Sequence, residues 1–259
     1  MEIAILGCGV MGSAFARKWA DLGHHLRLYN RSRAKAEQLA DETGGQFFDQ
    51  IEEATRGADL LLLGVKPHQL NTIGAALEGL DEQQLIFSIL SGVTLKELKK
   101  EIKGGISIRM MPNLAITCAK GVTAVAEDPS LSEGVRKKVN ELLEPLGKVV
   151  WANEQDLDII TALAGSGPSF ACALIEAFAE AGIEHGLRSE MAFDLTLAMM
   201  EGAIALVHAE ENHPAVIRHK ICSAGGTTIA GHRALQEYRV QAGIMAAIEA
   251  AFNKARGKS

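Results

Sequence analysis

The sequence predicts an α/β protein. An N-terminal, doubly wound sheet of Rossmann type fills residues 1–152, and an all-helical C-terminal dimerisation domain fills 153–259. Three observations carry this. Short runs rich in Ile, Leu and Val alternate with polar-faced helical stretches in the first part, the pattern of a mainly parallel sheet covered on both faces. A Gly-x-Gly-x-x-Gly loop joins the first run to the first helical stretch. Beyond about residue 153 the strand-like runs stop, and long segments rich in Ala, Leu and Met follow.

The chain begins MEIAILGCGVMG. Glu2 and the lack of a basic leader argue against a secretory signal, so run 2–6 reads as a strand that enters the fold at once. GCGVMG (7–12) then opens a helix over 11–22. Between strand and helix, this spacing is that of a dinucleotide-binding turn. Gly7 allows the tight turn, Gly9 lets the backbone approach a diphosphate, and Gly12 lets helix and strand pack closely. Cys8, Val10 and Met11 complete a loop whose N–H groups face the anion. A rival phosphate loop fails, because Gly257-Lys258-Ser259 lies at the chain end with Phe252 where a glycine is required.

Run 25–29 is the second strand. It ends at Tyr29-Asn30, roughly 20 residues past Gly7, where an NAD-binding chain places Asp or Glu. Here the residues are Asn30, Arg31 and Ser32, with Arg33 and Lys35 beyond. A carboxylate would repel a 2′-phosphate, whereas an amide, a guanidinium and a hydroxyl bind one. The expected cofactor is therefore NADPH, with NADH as a substitute. Arg33 and Lys35 also fit a solvated basic helix start.

A helix over 32–43 follows, then the strand 59–65, apolar throughout as a central parallel strand should be. Strands 85–89, 106–110, 122–126 and 148–152 and helices 94–103 and 132–146 complete the first part. The second part contains helices 168–186, 189–210 and 239–255. Helix 189–210 carries Leu195, Leu197, Met199, Met200, Ile204, Leu206 and Val207, a coverage wider than the stripe of a surface helix. Either its own chain buries that surface or a second copy does; the second reading gives a homodimer through the helical domain, with further assembly of dimers left open.

Of the 259 residues, 47% are hydrophobic and 22% charged, the balance of an ordinary globular chain. A net charge of −6 disfavours non-specific binding to nucleic acid or an anionic membrane. No uninterrupted apolar run reaches the roughly 18 residues of a membrane span. Cys8, Cys118, Cys172 and Cys222 are scattered without a Cys-x-x-Cys pair, which points to reduced thiols, a cytoplasmic location and no zinc site. The eight histidines include no helical pair at i, i+4, and no metal is expected.

The ordered set GCGVMG, YNRS, GVKPHQ (64–69), SILSGV (88–93), RMMPN (109–113), TALAGSGPSF (161–170) and SAGGTTIAG (223–231) spans nearly the whole chain. It resembles the pyrroline-5-carboxylate reductase family. One departure is Ala224, where the family usually has proline before the paired glycines.

The resemblance implies NAD(P)H-dependent reduction of 1-pyrroline-5-carboxylate to L-proline, a hydride transfer to a cyclic imine that ends proline biosynthesis. It implies that Gly64, Val65, Lys66 and Pro67, with Ser88, Ile89, Leu90 and Ser91, contact the ribose and nicotinamide end of the cofactor, and that Asn113 shapes the loop beside it. Lys66 is either a general acid or a groove-lining stem. Ser223, Gly225, Gly226 and Thr227 form the expected cradle for the substrate carboxylate, a neutral helix start with free N–H groups. Thr228 is the expected catalytic residue, hydrogen-bonded to the ring nitrogen. Glu154 lies either beside that nitrogen or at an exposed helix start. Gly165-Ser166-Gly167-Pro168 is a well-made helix start that also allows close approach. Lys220 reaches the cofactor or stays solvated, and Cys222 is small filler. A related imine or hydroxy-acid dehydrogenase and a non-catalytic dinucleotide sensor are the alternatives, the latter because fold does not dictate function.

Overall fold

The structure, a computed structural model, describes residues 1–77, 79–210 and 213–257. Its elements are β1 (Glu2–Leu6), α1 (Val10–Asp21), β2 (His25–Tyr29), α2 (Arg33–Thr43), β3 (Gln46–Phe47), α3 (Ile51–Thr55), β4 (Leu60–Leu63), α4 (Leu70–Ala76), β5 (Leu85–Ser88), α5 (Leu95–Glu101), β6 (Ile106–Pro112), β7 (Gly121–Ala126), α6 (Glu133–Leu143), β8 (Gly147–Ala152), α7 (Leu157–Ile160), α8 (Gly167–Glu184), α9 (Ser189–Glu210), α10 (Pro214–Ile221), α11 (Thr227–Glu237) and α12 (Val240–Ala255). By contacts the chain forms two compact units: Met1–Ser166 with the stretch from Phe252, and Gly167–Ala251. The compact division thus falls later than residue 152. Leu157 is fully buried in the core of the first unit, which ties the segment after β8 to the sheet.

The eight strands lie in the order β3-β2-β1-β4-β5-β6-β7-β8. All pairs are parallel except β6 with β7. That antiparallel step follows from the link 113–120, a single 3₁₀ turn (Leu114–Cys118), which is too short for a crossover. Because side chains alternate along a strand, each strand feeds two cores. Ile3, Ile5, Leu62, Phe87 and Met110 face α1 and α6, where Phe15, Trp19 and Val139 are buried. Trp19 satisfies its indole by donating Nε1–H to the carbonyl of Leu142, at 3.1 Å. Ala4, Leu6, Leu61, Leu63 and Ile86 face the layer that holds Ile73 of α4, Leu98 of α5 and Leu157 of α7.

The parallel register aligns Leu6, Leu63, Ser88 and Arg109 in one row. The loops after β1, β4 and β5 therefore leave from one edge, with the topological switch between β1 and β4. Helix α5 starts with a reciprocal cap: Glu97 donates its N–H to Thr94 Oγ1 (3.2 Å), and Thr94 donates its N–H to Glu97 Oε2 (2.8 Å).

In the second unit, α8 and α9 bury only Ala179, Ala192 and Thr196, α10 buries Ile217, and α11 and α12 bury nothing. Phe178, Leu195, Ile204 and Met245 stand exposed on the protomer. The sequence has no uninterrupted apolar run of span length, but averaged over a window two segments are apolar. Glu154–Glu184 and Ser189–Glu210 are long and apolar enough to cross a bilayer, each with mean hydropathy 1.4 over its best window. An uninterrupted-run count misses them because isolated charges break the runs without much lowering the mean. Only 6% and 11% of those windows are buried within the protomer.

Candidate functional site

In the first unit a cleft of about 390 Å³ at the switch edge gathers Gly7, Cys8, Gly9, Asn30, Arg31, Ser32, Gly64, Val65 and Lys66. Gly7 has φ +110°, and a Cβ there would meet the Gly64 carbonyl at 2.6 Å, so both glycines belong to one close crossing. A Cβ on Gly12 would stand 1.9 Å from the Gly7 carbonyl oxygen. Gly9 precedes α1 and has open space where a Cβ would be. The N–H groups of Val10, Met11 and Gly12 precede the first intrahelical bond, from Ser13 N–H to Gly9 C=O (2.8 Å), and so remain available to an anion. These features fit a dinucleotide diphosphate.

At the far side of the cleft, the basic residues divide their roles. Asn30 accepts the Cys8 N–H at Oδ1 (3.1 Å) and donates Nδ2–H to the Ser32 carbonyl (3.0 Å). Its amide thus ties the two loops together, a task different from the expected phosphate contact. Arg33 pairs with Glu37 (2.8 Å) and Asp49 (3.3 Å) and lies over Phe47. Arg31, Ser32 and Lys35 remain on the cleft wall. Burial pushes the Cys8 thiol up to about 11, so it stays protonated at neutral pH.

Lys66 opens the turn Pro67–Gln69, in which Gln69 accepts the Lys66 N–H at 3.0 Å. Gln69, Thr72 and Ile73 line the same cleft. Gln69 was readable as the end of GVKPHQ; Thr72 and Ile73 were not, because α4 is too short to show a helical period. Ile89 and Ser91 lie in the loop after β5. Ser88 and Leu90 turn inward and are fully buried, with Ser88 Oγ accepting the Leu90 N–H at 3.4 Å, so only their backbone can face a ligand.

Asn113 shapes its loop through its own side chain, and Glu154 has partners that local sequence does not show. Buried Asn113 accepts the Val122 N–H (3.1 Å) and donates to the Ala164 carbonyl (2.8 Å) in the π-helical turn Thr161–Gly165. Glu154 Oε1 accepts the Leu95 N–H (2.6 Å) and pairs with Arg109 Nη1 (2.9 Å). It opens the 3₁₀ turn Glu154–Asp156, in line with one of its two readings, and it also supplies the carboxylate that buried Arg109 demands. Arg109 is the residue that sequence reasoning missed. Its signal was a charge inside the apolar strand ISIRMMP.

The residues expected to hold the substrate lie in the helical unit. Ser223 does not cap α11; Gly226 does, at φ −79° and ψ 171°. The turn closes first, by Gly226 N–H to Ser223 C=O (3.1 Å) with Gly225 at φ +69°, which delays the helix. The Ser223 hydroxyl folds over Gly226, where a Cβ would lie 2.3 Å from Oγ. The N–H groups of Thr227, Thr228 and Ile229 precede the first intrahelical bond, from Ala230 to Gly226. Ser223 and Thr227 are exposed, and Thr228 is half-buried. Lys220 is paired with Glu210. Among the described residues, no cluster of His, Cys, Asp and Glu could hold a metal.

Two family models match the chain. A family model described as pyrroline-5-carboxylate reductase dimerisation matches residues 154–258, and one described as NADP oxidoreductase, coenzyme F420-dependent, matches residues 2–92. The pyrroline-5-carboxylate reductase of Aquifex aeolicus is 33% identical, over 99% of this chain and 97% of that one. The 1-pyrroline-5-carboxylate reductase structure from Streptococcus pyogenes aligns with TM-score 0.90 at 28% identity, covering 99% of this chain and 98% of its own. The Plasmodium falciparum pyrroline carboxylate reductase with NADP bound gives TM-score 0.88 at 26% identity, covering 100% and 98%.

Proposed function

This chain belongs to the pyrroline-5-carboxylate reductase family, and from that premise we propose how its residues divide the reaction. The activity is the NADPH-dependent reduction of 1-pyrroline-5-carboxylate to L-proline, with NADH as the weaker alternative. The observation that carries it is the full-length similarity to curated reductases, which takes in the glycine-rich cradle and the SAGGTT turn together.

When bound, the dinucleotide supplies a hydride to the imine carbon. The chain's own work is binding and polarity. The N–H groups after Gly9 hold the diphosphate, and Arg31 and Ser32 hold the 2′-phosphate. Backbone at 64–67 and 88–91 faces the ribose and nicotinamide end. Ser223 and the N–H groups around Gly226 and Thr227 take the substrate carboxylate without adding a fixed charge. The Thr228 hydroxyl hydrogen-bonds the ring nitrogen and stabilises the amine as it forms. Aligning donor and acceptor supplies several kcal/mol, up to roughly 7–11 in the best intramolecular models. Protomers pair through the helical unit. Four free cysteines support a cytoplasmic setting.

The test is loss of NADPH absorbance with pyrroline-5-carboxylate, beside a 2-keto acid control. The imine is consumed and the keto acid is not. Thr228→Ala lowers turnover on the order of 10²-fold, by analogy with loss of one oriented donor. Unchanged turnover in that variant refutes the role given to Thr228.

A further inference from the structure

We propose that Arg109 and Glu154 are positioning residues for the cofactor: their ion pair, buried on the arginine side and half-buried on the carboxylate side, fixes the loop 89–94. The proposal rests on the assignment of that loop to the nicotinamide side. Arg109 stands in the last row of the sheet, level with Leu6, Leu63 and Ser88, from which the cofactor loops depart. Strand alternation puts its side chain on the α4–α5 face, opposite Ile108 and Met110. It is only 4% exposed.

From there the guanidinium reaches Glu154 (2.9 Å) and Asp158 (3.7 Å). Glu154 Oε1 also takes the N–H of Leu95, the first residue of α5, at 2.6 Å. At the other end of the loop, Ser88 Oγ holds the Leu90 N–H. Both ends are therefore tied to the Ser88–Arg109 pair, while Leu90 and Val93 are buried beneath. The Nε donor of Arg109 is buried and has no hydrogen-bond partner among the described residues.

A buried ion pair is weak evidence for stability, because an apolar pair of similar size often does as well, and an unmatched donor adds a further penalty. What an apolar pair cannot do is draw a backbone N–H to a fixed point. The planar fork of Arg109 orients the carboxylate, and the carboxylate orients Leu95 and the loop before it. Neither residue need touch the substrate.

The experiment compares wild type, Glu154→Gln and the double variant Arg109→Met/Glu154→Met. For each, NADPH dissociation is followed by fluorescence titration, KM is determined for both substrates, and thermal midpoints are recorded. The double variant removes the arginine with its nearer partner and leaves Asp158, 29% exposed, to solvent, so its midpoint falls far less than that of a variant that strands buried Arg109 alone. Its NADPH affinity falls about tenfold and kcat falls about ten- to hundredfold, since a misplacement of an ångström costs that much. The KM for the imine moves less than about twofold. Glu154→Gln keeps an acceptor for Leu95 but loses the arginine pairing, and lies between. A folded double variant with wild-type NADPH affinity and kcat overturns the proposal, as do equal rises in both KM values. If the double variant does not fold, unchanged NADPH binding in Glu154→Gln overturns it. A wild-type protein that binds no NADPH overturns the cofactor assignment itself, and the proposal with it.

Discussion

Gly12→Ala tests the geometry of the diphosphate cradle most directly. A Cβ at residue 12 would sit 1.9 Å from the Gly7 carbonyl oxygen and 3.1 Å from its carbon. Real contacts of that kind start near 3 Å, so the helix and the loop must separate by about 1 Å. Gly7 cannot retreat easily. Its N–H is held by the Tyr29 carbonyl at 2.8 Å, and the Gly64–Val65 backbone fills the space beside it where a Cβ would lie, at 2.6 and 2.8 Å. The helix cannot retreat easily either, because Phe15 and Trp19 on α1 are fully buried. Overpacking of this kind costs about 1–3 kcal/mol. For a chain of this size that lowers the thermal midpoint by roughly 2–4 °C per kcal/mol. The helix N-terminus is displaced with it, and NADPH binding weakens by about tenfold or more. Calorimetry and fluorescence titration on the same sample measure both effects. A variant with an unchanged midpoint and unchanged NADPH affinity would refute the claim that this contact sets the cradle.

Two further outcomes follow from the side-chain pairings. Arg31→Ala removes one charge-assisted hydrogen bond, worth about 1.5–3 kcal/mol, and weakens NADPH by roughly 10- to 150-fold while leaving NADH nearly unchanged. Arg33→Ala, already satisfied by Glu37 and Asp49, moves NADPH by less than about twofold; equal NADPH and NADH losses in Arg31→Ala would contradict the assignment. Asp128 is desolvated by burial, but hydrogen bonds from Lys99 and Ser130 outweigh that and lower its pKa from 3.8 to about 2. The stability it contributes is present above the unfolded value and is lost as pH falls through the folded one. In thermal melts, wild type therefore loses its advantage over Asp128→Asn between about pH 4 and pH 2; a constant difference across that range would exclude the linkage.

Strands buried on both faces announce themselves, which is why runs such as 59–65 and 85–89 were legible as β4 and β5. The two-residue β3 and the short helices α3 and α4 were not, because a turn or two of chain shows no period. The reversal at β7 depends on the length of a link and not on composition. The site was legible where function demands a backbone shape, as at Gly7 or the Gly225–Gly226 turn. It was illegible where a polar side chain had to be assigned a partner. Asn113 meets Ala164, and Glu154 meets Leu95 and Arg109, across distances in sequence that no local pattern spans. Glu154 looked available to a ligand until the fold supplied neighbours for it, and the loop role of Asn113 was legible without its partners.

The thin interior of helices α8–α11 has a consequence for the life of the molecule. A bundle that seals so little of its own oil inside one chain cannot reach its working state alone. Separation of the pair and loss of order in this half become a single event, so dilution acts on it as urea would, and its melting temperature rises with concentration. A newly synthesised chain must meet its twin, or a chaperone, before its greasy flanks find something else.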